Sequence, residues 1–170
     1  MIPIMNSPSV SHVWLDERAR ALGCTDWYRR ALVALWEVGI RTGVDPAVLA
    51  GQCALETGWG HFGGTVTVNY GNTCGMKNVD ATGDTAADLA HFAIDRDGYP
   101  RLGALAHAHH LMLYAGHPIP LDSPDPRARY VAGNPDRFGK APYVEDLSGL
   151  WAPSPDYGTN VARIVTRLIT

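Results

Sequence analysis

Little in this sequence is suited to nucleic acid, membrane or metal. Fourteen basic residues stand against seventeen acidic ones, for a formal charge of −3, and Lys77 and Lys140 are the only lysines. No basic face is available, which excludes nucleic acid as the expected partner. No apolar run approaches the roughly 20 residues of a membrane helix, so membrane insertion is not expected. Cysteine is scarce: Cys24, Cys53 and Cys74 are odd in number and form no CxxC pair. That rules against a disulfide framework and a cysteine zinc site. Three buried thiols are expected, with a Cys53–Cys74 bridge as the alternative. His107, His109, His110 and His117 lack the i, i+4 spacing of zinc helices, and no HExxH occurs. No metal and no cofactor are expected. A serine nucleophile lacks its GxSxG turn, and Cys53 sits in an apolar run, where a thiol is inert. The segment MIPIMNSPSVSHVW has no basic region followed by an apolar core, so no secretory signal is read there.

What remains has the composition of a globular protein. The chain has 170 residues, 46% apolar and 18% charged, enough for one domain with a core. Residues 1–10 read as an extended lead-in and 11–170 as a single domain. Helices are expected from His12 to Leu22 and from a Thr25 or Asp26 cap to Thr42. Asp45-Pro46 opens a third, an N-cap followed by a proline in the first turn, and Gly58 ends it. Further helices are expected over Leu102–Tyr114, Tyr143–Leu150 and Asp156–Ile169. Residues 58–75 read as loop, 117–126 as a proline-rich surface loop, and Ala81-Thr82-Gly83-Asp84 as the turn of a small β-hairpin within 76–95. The expected class is mainly α, an α+β fold with one small β element and no repeat, and the expected state is a monomer.

The segment QCALETGWG (52–60) carries the most chemistry. Glu56 ends an apolar helical run and is followed at once by Gly58, Trp59 and Gly60. The negative end of the helix dipole disfavours ionising its carboxyl, and Leu55 and Trp59 would desolvate it. Both effects favour a proton donor able to protonate a glycosidic oxygen near neutral pH.

LAGQCALETGWG (49–60) resembles the catalytic helix end of glycoside hydrolase family 73, the bacterial and phage N-acetylglucosaminidases, with its pattern Q-x-x-L-E-S/T-G-W-G. NTCGMK (72–77), GDTAADLAHF (83–92) and WAPSPDYGTNVARIV (151–165) resemble three further blocks of that family, in the family's order. The GDTAADLAHF block is similar to the hairpin of the family's phage-type branch. The resemblance implies a lysozyme-like helical domain with a small β-hairpin beside the active-site cleft. It implies a peptidoglycan glycan substrate, cut at the β-1,4 bond after N-acetylglucosamine, with Glu56 as general acid. A phage lysin, or the catalytic piece of a larger phage protein, made in the host cytoplasm and acting on the cell wall, is the setting it suggests. Two departures stand out: Cys74 where the family often has Phe, and aspartates where the hairpin usually carries a glutamate.

Asp84 and Asp88 are therefore the candidates for a second catalytic acid, Asp84 ahead as the residue on a hairpin reaching over the cleft. An Asp in a turn also has an ordinary local hydrogen-bonding role. A third route uses the substrate's own N-acetyl group. Trp59, Tyr70, Trp151 and Tyr157 are candidates for the glycan cleft, where aromatic faces pack on sugar rings, and the closing motif puts Tyr157 nearest the glutamate. Asn72 joins them as a substrate-side candidate, although side-chain hydrogen bonds that fix an irregular loop are the stronger expectation for Asn72 and Lys77. The rivals are a muramidase or lytic transglycosylase on the same fold, or a non-catalytic wall-binding or phage structural module.

Overall fold

A computed structural model describes residues 1–170 and contains six α-helices with almost no strand. Helix α1 spans His12–Ala21 behind a Ser11 cap, and α2 spans Asp26–Thr42 behind Thr25, whose hydroxyl accepts the Tyr28 N–H at 3.3 Å. Helix α3 spans Pro46–Thr57, and Asp45 accepts the Ala47 N–H at 2.9 Å. Helices α4 (Arg101–Tyr114) and α6 (Tyr157–Ile169) lie close to their expected bounds. The short α5 (Ala128–Ala132) has no counterpart in the sequence reading. No helix is long and apolar enough to cross a membrane.

Helix α3 is the axle of the fold. Nearly all of its residues are buried, and only Leu55 and Glu56, near its C-terminal end, keep partial exposure. It packs most extensively against α6, and also against α2, which in turn lies on α4. Helix α6 offers Tyr157, Val161, Val165 and Leu168 as its buried stripe. The α3–α6 approach is close because Gly51 has no side chain: a Cβ there would sit 2.5 Å from Val165 Cγ2. The first ten residues are extended and stitched to the body. Ile4 is fully buried, its N–H donates to Pro142 O at 3.0 Å, and its carbonyl accepts the Asp45 N–H at 2.9 Å.

Two expected elements take other forms. The segment 76–95 doubles back, but the expected β-hairpin is absent: one antiparallel bridge, Lys77 to Leu89, replaces a ladder. Asn and Asp side chains take the backbone groups that a ladder would use. Asn78 Nδ2 donates to Ala87 O and Leu89 O at 3.0 and 3.2 Å. The Asp88 carboxylate accepts the Thr82 and Thr85 N–H groups, each at 2.8 Å. The helix expected over Tyr143–Leu150 is only a 3-10 turn, Val144–Leu147, with Asp146 accepting the Tyr143 N–H at 3.1 Å.

Filling the α3–α6 contact tests this packing. Gly51→Val is expected to lower the unfolding free energy by about 2 kcal/mol through overpacking, read as a lower urea midpoint at unchanged slope.

Candidate active site

The C-terminus of α3 turns in an unusual way. Gly58, Trp59 and Gly60 have φ of 57, 59 and 83°, three left-handed residues in succession. The turn is held by the Trp59 N–H on Ala54 O at 2.9 Å and by the Thr25 N–H on Trp59 O at 3.0 Å. A side chain at Gly60 would collide with the first turn of α2, 3.1 Å from the Tyr28 nitrogen. The Trp59 ring packs on Tyr28 with centroids 5.4 Å apart. The Gly-Trp-Gly sequence therefore anchors the end of α3 against the start of α2. Trp59 does not line the cleft expected to hold the glycan.

Glu56 leaves this helix end toward an open cleft of about 460 Å³, which it lines together with Gly75, Asp84, Tyr114 and Trp151. One carboxylate oxygen, Oε1, accepts a hydrogen bond from the Tyr157 hydroxyl. The other faces Gly75, whose φ is 63° and where a Cβ would come within 3.0 Å of Oε2. A residue there must be left-handed and leave room for the carboxyl, and glycine meets both demands.

Behind Tyr157 runs a buried chain of hydrogen bonds. Gln52 Nε2 donates to the Tyr157 oxygen at 2.7 Å, and Gln52 Oε1 lies 2.9 Å from His107 Nε2. Thr73 Oγ1 lies 3.1 Å from His107 Nδ1. Burial, with the charge of His110 as a lesser cause, pushes His107 down to about 3, so its ring is neutral at ordinary pH. With Gln52 oriented amide-N toward Tyr157, only one proton arrangement satisfies the chain. Thr73 donates to Nδ1, Nε2–H donates to Gln52 Oε1, Gln52 donates to Tyr157, and Tyr157 donates to Glu56. Every donor points toward the carboxyl. Gln52 and Glu56 stand one helical turn apart, a spacing visible in the sequence. His107 comes from α4, and nothing local in the sequence marks it as Gln52's partner.

Two effects on Glu56 oppose each other. Burial pushes its pKa up, and hydrogen bonding from Tyr157, then Trp151, pulls it down; burial prevails. The Tyr157 hydroxyl is held well above its ordinary range, chiefly by burial, so it remains a donor.

The other candidates divide. Trp151 lines the cleft, its ring 4.9 Å from that of His110. Asp84 lines it too, but its side chain is 88% exposed and paired with Lys77 Nζ at 2.7 Å. Asp88 does not line it. Hydrogen bonds from the Thr85 hydroxyl and from backbone N–H groups hold its carboxylate below the usual range, and it works as a loop clasp. Asn72 is fully buried and bonds Met76 O, Ala90 O and the Met76 N–H at 2.8, 3.0 and 2.9 Å, and it does not line the cleft. Tyr70 stacks on His91 at 3.7 Å, outside the cleft. The cysteines are free, with Cys53 and Cys74 buried, so the alternative bridge does not form. The sequence analysis does not single out Tyr114, Arg127 and Arg137 on the far wall: Tyr114 ends the expected helix α4, and Arg127 and Arg137 flank α5, where no periodic signal marks them.

One desolvated carboxylic acid, supported from behind and open to a polar cleft in front, is the equipment of a glycoside hydrolase. The glucosaminidase family model, described as mannosyl-glycoprotein endo-beta-N-acetylglucosaminidase, matches residues 33–170. The chain belongs to this family, glycoside hydrolase family 73. No curated protein and no solved structure matches it significantly.

The raised pKa of Glu56 carries a stability consequence. Between the ordinary value of 4.5 and the raised one, the folded state holds a proton that the unfolded chain has released. Stability therefore falls as pH rises through that window. Glu56→Gln removes the penalty. It is expected to melt higher than the parent protein at about pH 8, with the difference shrinking as the pH falls to about 4. Thermal melts across pH check this.

Proposed function

We propose that the chain hydrolyses the glycan of peptidoglycan at the β-1,4 bond after N-acetylglucosamine, on a lysozyme-like helical frame, with Glu56 as general acid. The observation that carries this reading is the position of Glu56, the one carboxyl that combines a raised pKa with access to the cleft. Its proton passes to the glycosidic oxygen as the bond to the anomeric carbon breaks, and positive charge develops on that carbon. The carboxylate left behind keeps the Tyr157 hydrogen bond, which strengthens as charge appears on Oε1. Trp151 offers a ring face to a sugar at the mouth of the same cleft.

Asp84 is the second acid in this reading, since Asp88 is tied up in its loop. Asp84 lines the same cleft as Glu56 with its side chain open to solvent, where it can activate water or face an oxocarbenium-like centre. Water then completes the cleavage. A cysteine nucleophile is disfavoured: burial pushes Cys53 up to about 12 and Cys74 well above its ordinary range.

Mass spectrometry of fragments released from purified peptidoglycan tests both activity and bond. N-acetylglucosamine reducing ends are expected. Muramic acid ends would assign a muramidase instead, 1,6-anhydro ends a lytic transglycosylase, and binding without release a wall-binding module. Folded Glu56→Gln is expected to lose activity by about a hundred- to ten-thousand-fold; activity near that of the parent would remove Glu56 from the mechanism. Asp84→Asn is expected to lower kcat by at least about tenfold. Asp88→Asn is expected to lower the melting temperature of the protein by loosening this loop and to leave the acid chemistry in place.

A further inference from the structure

The charges lining the cleft do not balance. Lys77 and Asp84 neutralise each other at 2.7 Å, and Glu56 is uncharged while it holds its proton. Arg127 and Arg137 remain, and neither guanidinium group lies within 4.0 Å of any carboxylate. His110, on the same wall, already has Asp125 at 2.7 Å. The cleft of a chain with net charge −3 thus carries two guanidinium groups with no carboxylate in salt-bridge contact.

The pair is held in place. Both guanidinium groups lie over one ring, Tyr130, at 4.9 and 5.2 Å from its centroid. Arg137 is fixed by Nη1, which donates to Leu150 O at 2.6 Å and to the Tyr114 hydroxyl at 3.0 Å. The backbone of Arg127 is pinned by its N–H on Asp125 Oδ1 at 2.8 Å, while its guanidinium donates to no protein group. Two like charges packed on one ring repel each other, and an anion in contact with either guanidinium on the cleft side would relieve that repulsion. A planar guanidinium matches a carboxylate in particular, through two parallel N–H···O bonds.

The geometry points to a carboxylate-binding subsite formed by Arg127 and Arg137, which selects glycans bearing a carboxylate beside the bond that Glu56 attacks. The inference rests on the proposed hydrolase reading for the location of that bond, but the subsite can be tested without turnover. On peptidoglycan the carboxylate has two sources: the stem peptide, or the lactyl ether of muramic acid once the peptide is removed. A neutral N-acetylglucosamine oligomer supplies neither, and would cover the pair without compensating it.

Calorimetry on Glu56→Gln protein, which binds without cutting, reads the subsite directly. Three soluble glycans of equal length serve as probes: peptide-bearing strands, strands stripped of peptide, and the neutral N-acetylglucosamine oligomer. At low salt, at least one of the two carboxylate-bearing strands is expected to bind about tenfold or more tightly than the neutral oligomer, and which one does identifies the source. Adding Arg127→Gln is expected to abolish the preference, Arg127→Lys to keep part of it, and raising the salt to erode it. Equal binding of all three glycans, or a preference unchanged in folded Arg127→Gln protein, would overturn the subsite. Wild-type protein that cuts none of the three would remove the hydrolase reading instead, and the binding comparison would still stand or fall by itself.

Discussion

An acid that must keep its proton near neutral pH has to be withdrawn from water, yet its conjugate base must survive there once the proton has left. In the mechanism proposed for this protein, the Tyr157–Glu56 hydrogen bond reconciles the two demands. Burial alone would make ionised Glu56 prohibitively costly. Hydrogen bonding alone would leave it ionised and useless as a donor. Tyr157 is itself buried and receives a hydrogen bond from Gln52, which leaves its single proton for Glu56. The rest of the site serves that arrangement: α6 delivers Tyr157, α3 delivers both Gln52 and Glu56, and α4 delivers His107. Because Gly51 lets α3 and α6 approach closely, the packing of the core and the position of the proton are one constraint.

The cleft's other wall is loop, and side chains stabilise it in place of a sheet. Asn72 bonds four backbone groups and fixes the turn that presents Gly75 to Glu56. Asp88 closes the following turn and leaves Asp84 exposed at its tip, paired with Lys77. Such loops give a conformation without a ladder, since each polar side chain satisfies several backbone groups at once. Asn72 and Asp88 thus act at one remove: they bring other groups to the cleft without facing it.

This explains which parts of the site could be read from the sequence. Helices α2, α3, α4 and α6 were legible from caps, stops and apolar spacing, which are local. Glu56 was legible because a helix end, a glycine stop and an aromatic fall within five residues. Trp59 was misread for the same reason: the motif shows that an aromatic is needed, and only the fold shows that its partner is Tyr28. Asp84 and Asp88 are alike in sequence, and their difference arises from Thr82 and Thr85 turning N–H groups onto one of them. Arg127 and Arg137 were invisible because they meet across Tyr130, in a stretch with neither helical nor strand periodicity.

The two sides of the cleft divide the work by physics as well as by position. On the α3 side, the polar groups behind Glu56, namely Gln52, His107 and Thr73, are buried and hydrogen-bonded to one another. On the α5 side, charges are half-exposed and lack carboxylate partners, so their attraction for an anion is long in range and weakened by salt. Chemistry benefits from the first environment, because a preorganised acid loses nothing to rearrangement when the bond breaks. Recognition of a long charged polymer benefits from the second, because attraction can act before contact is complete. In the proposed reading, a glycan lying across both is oriented by its charge at one end and cut at the other.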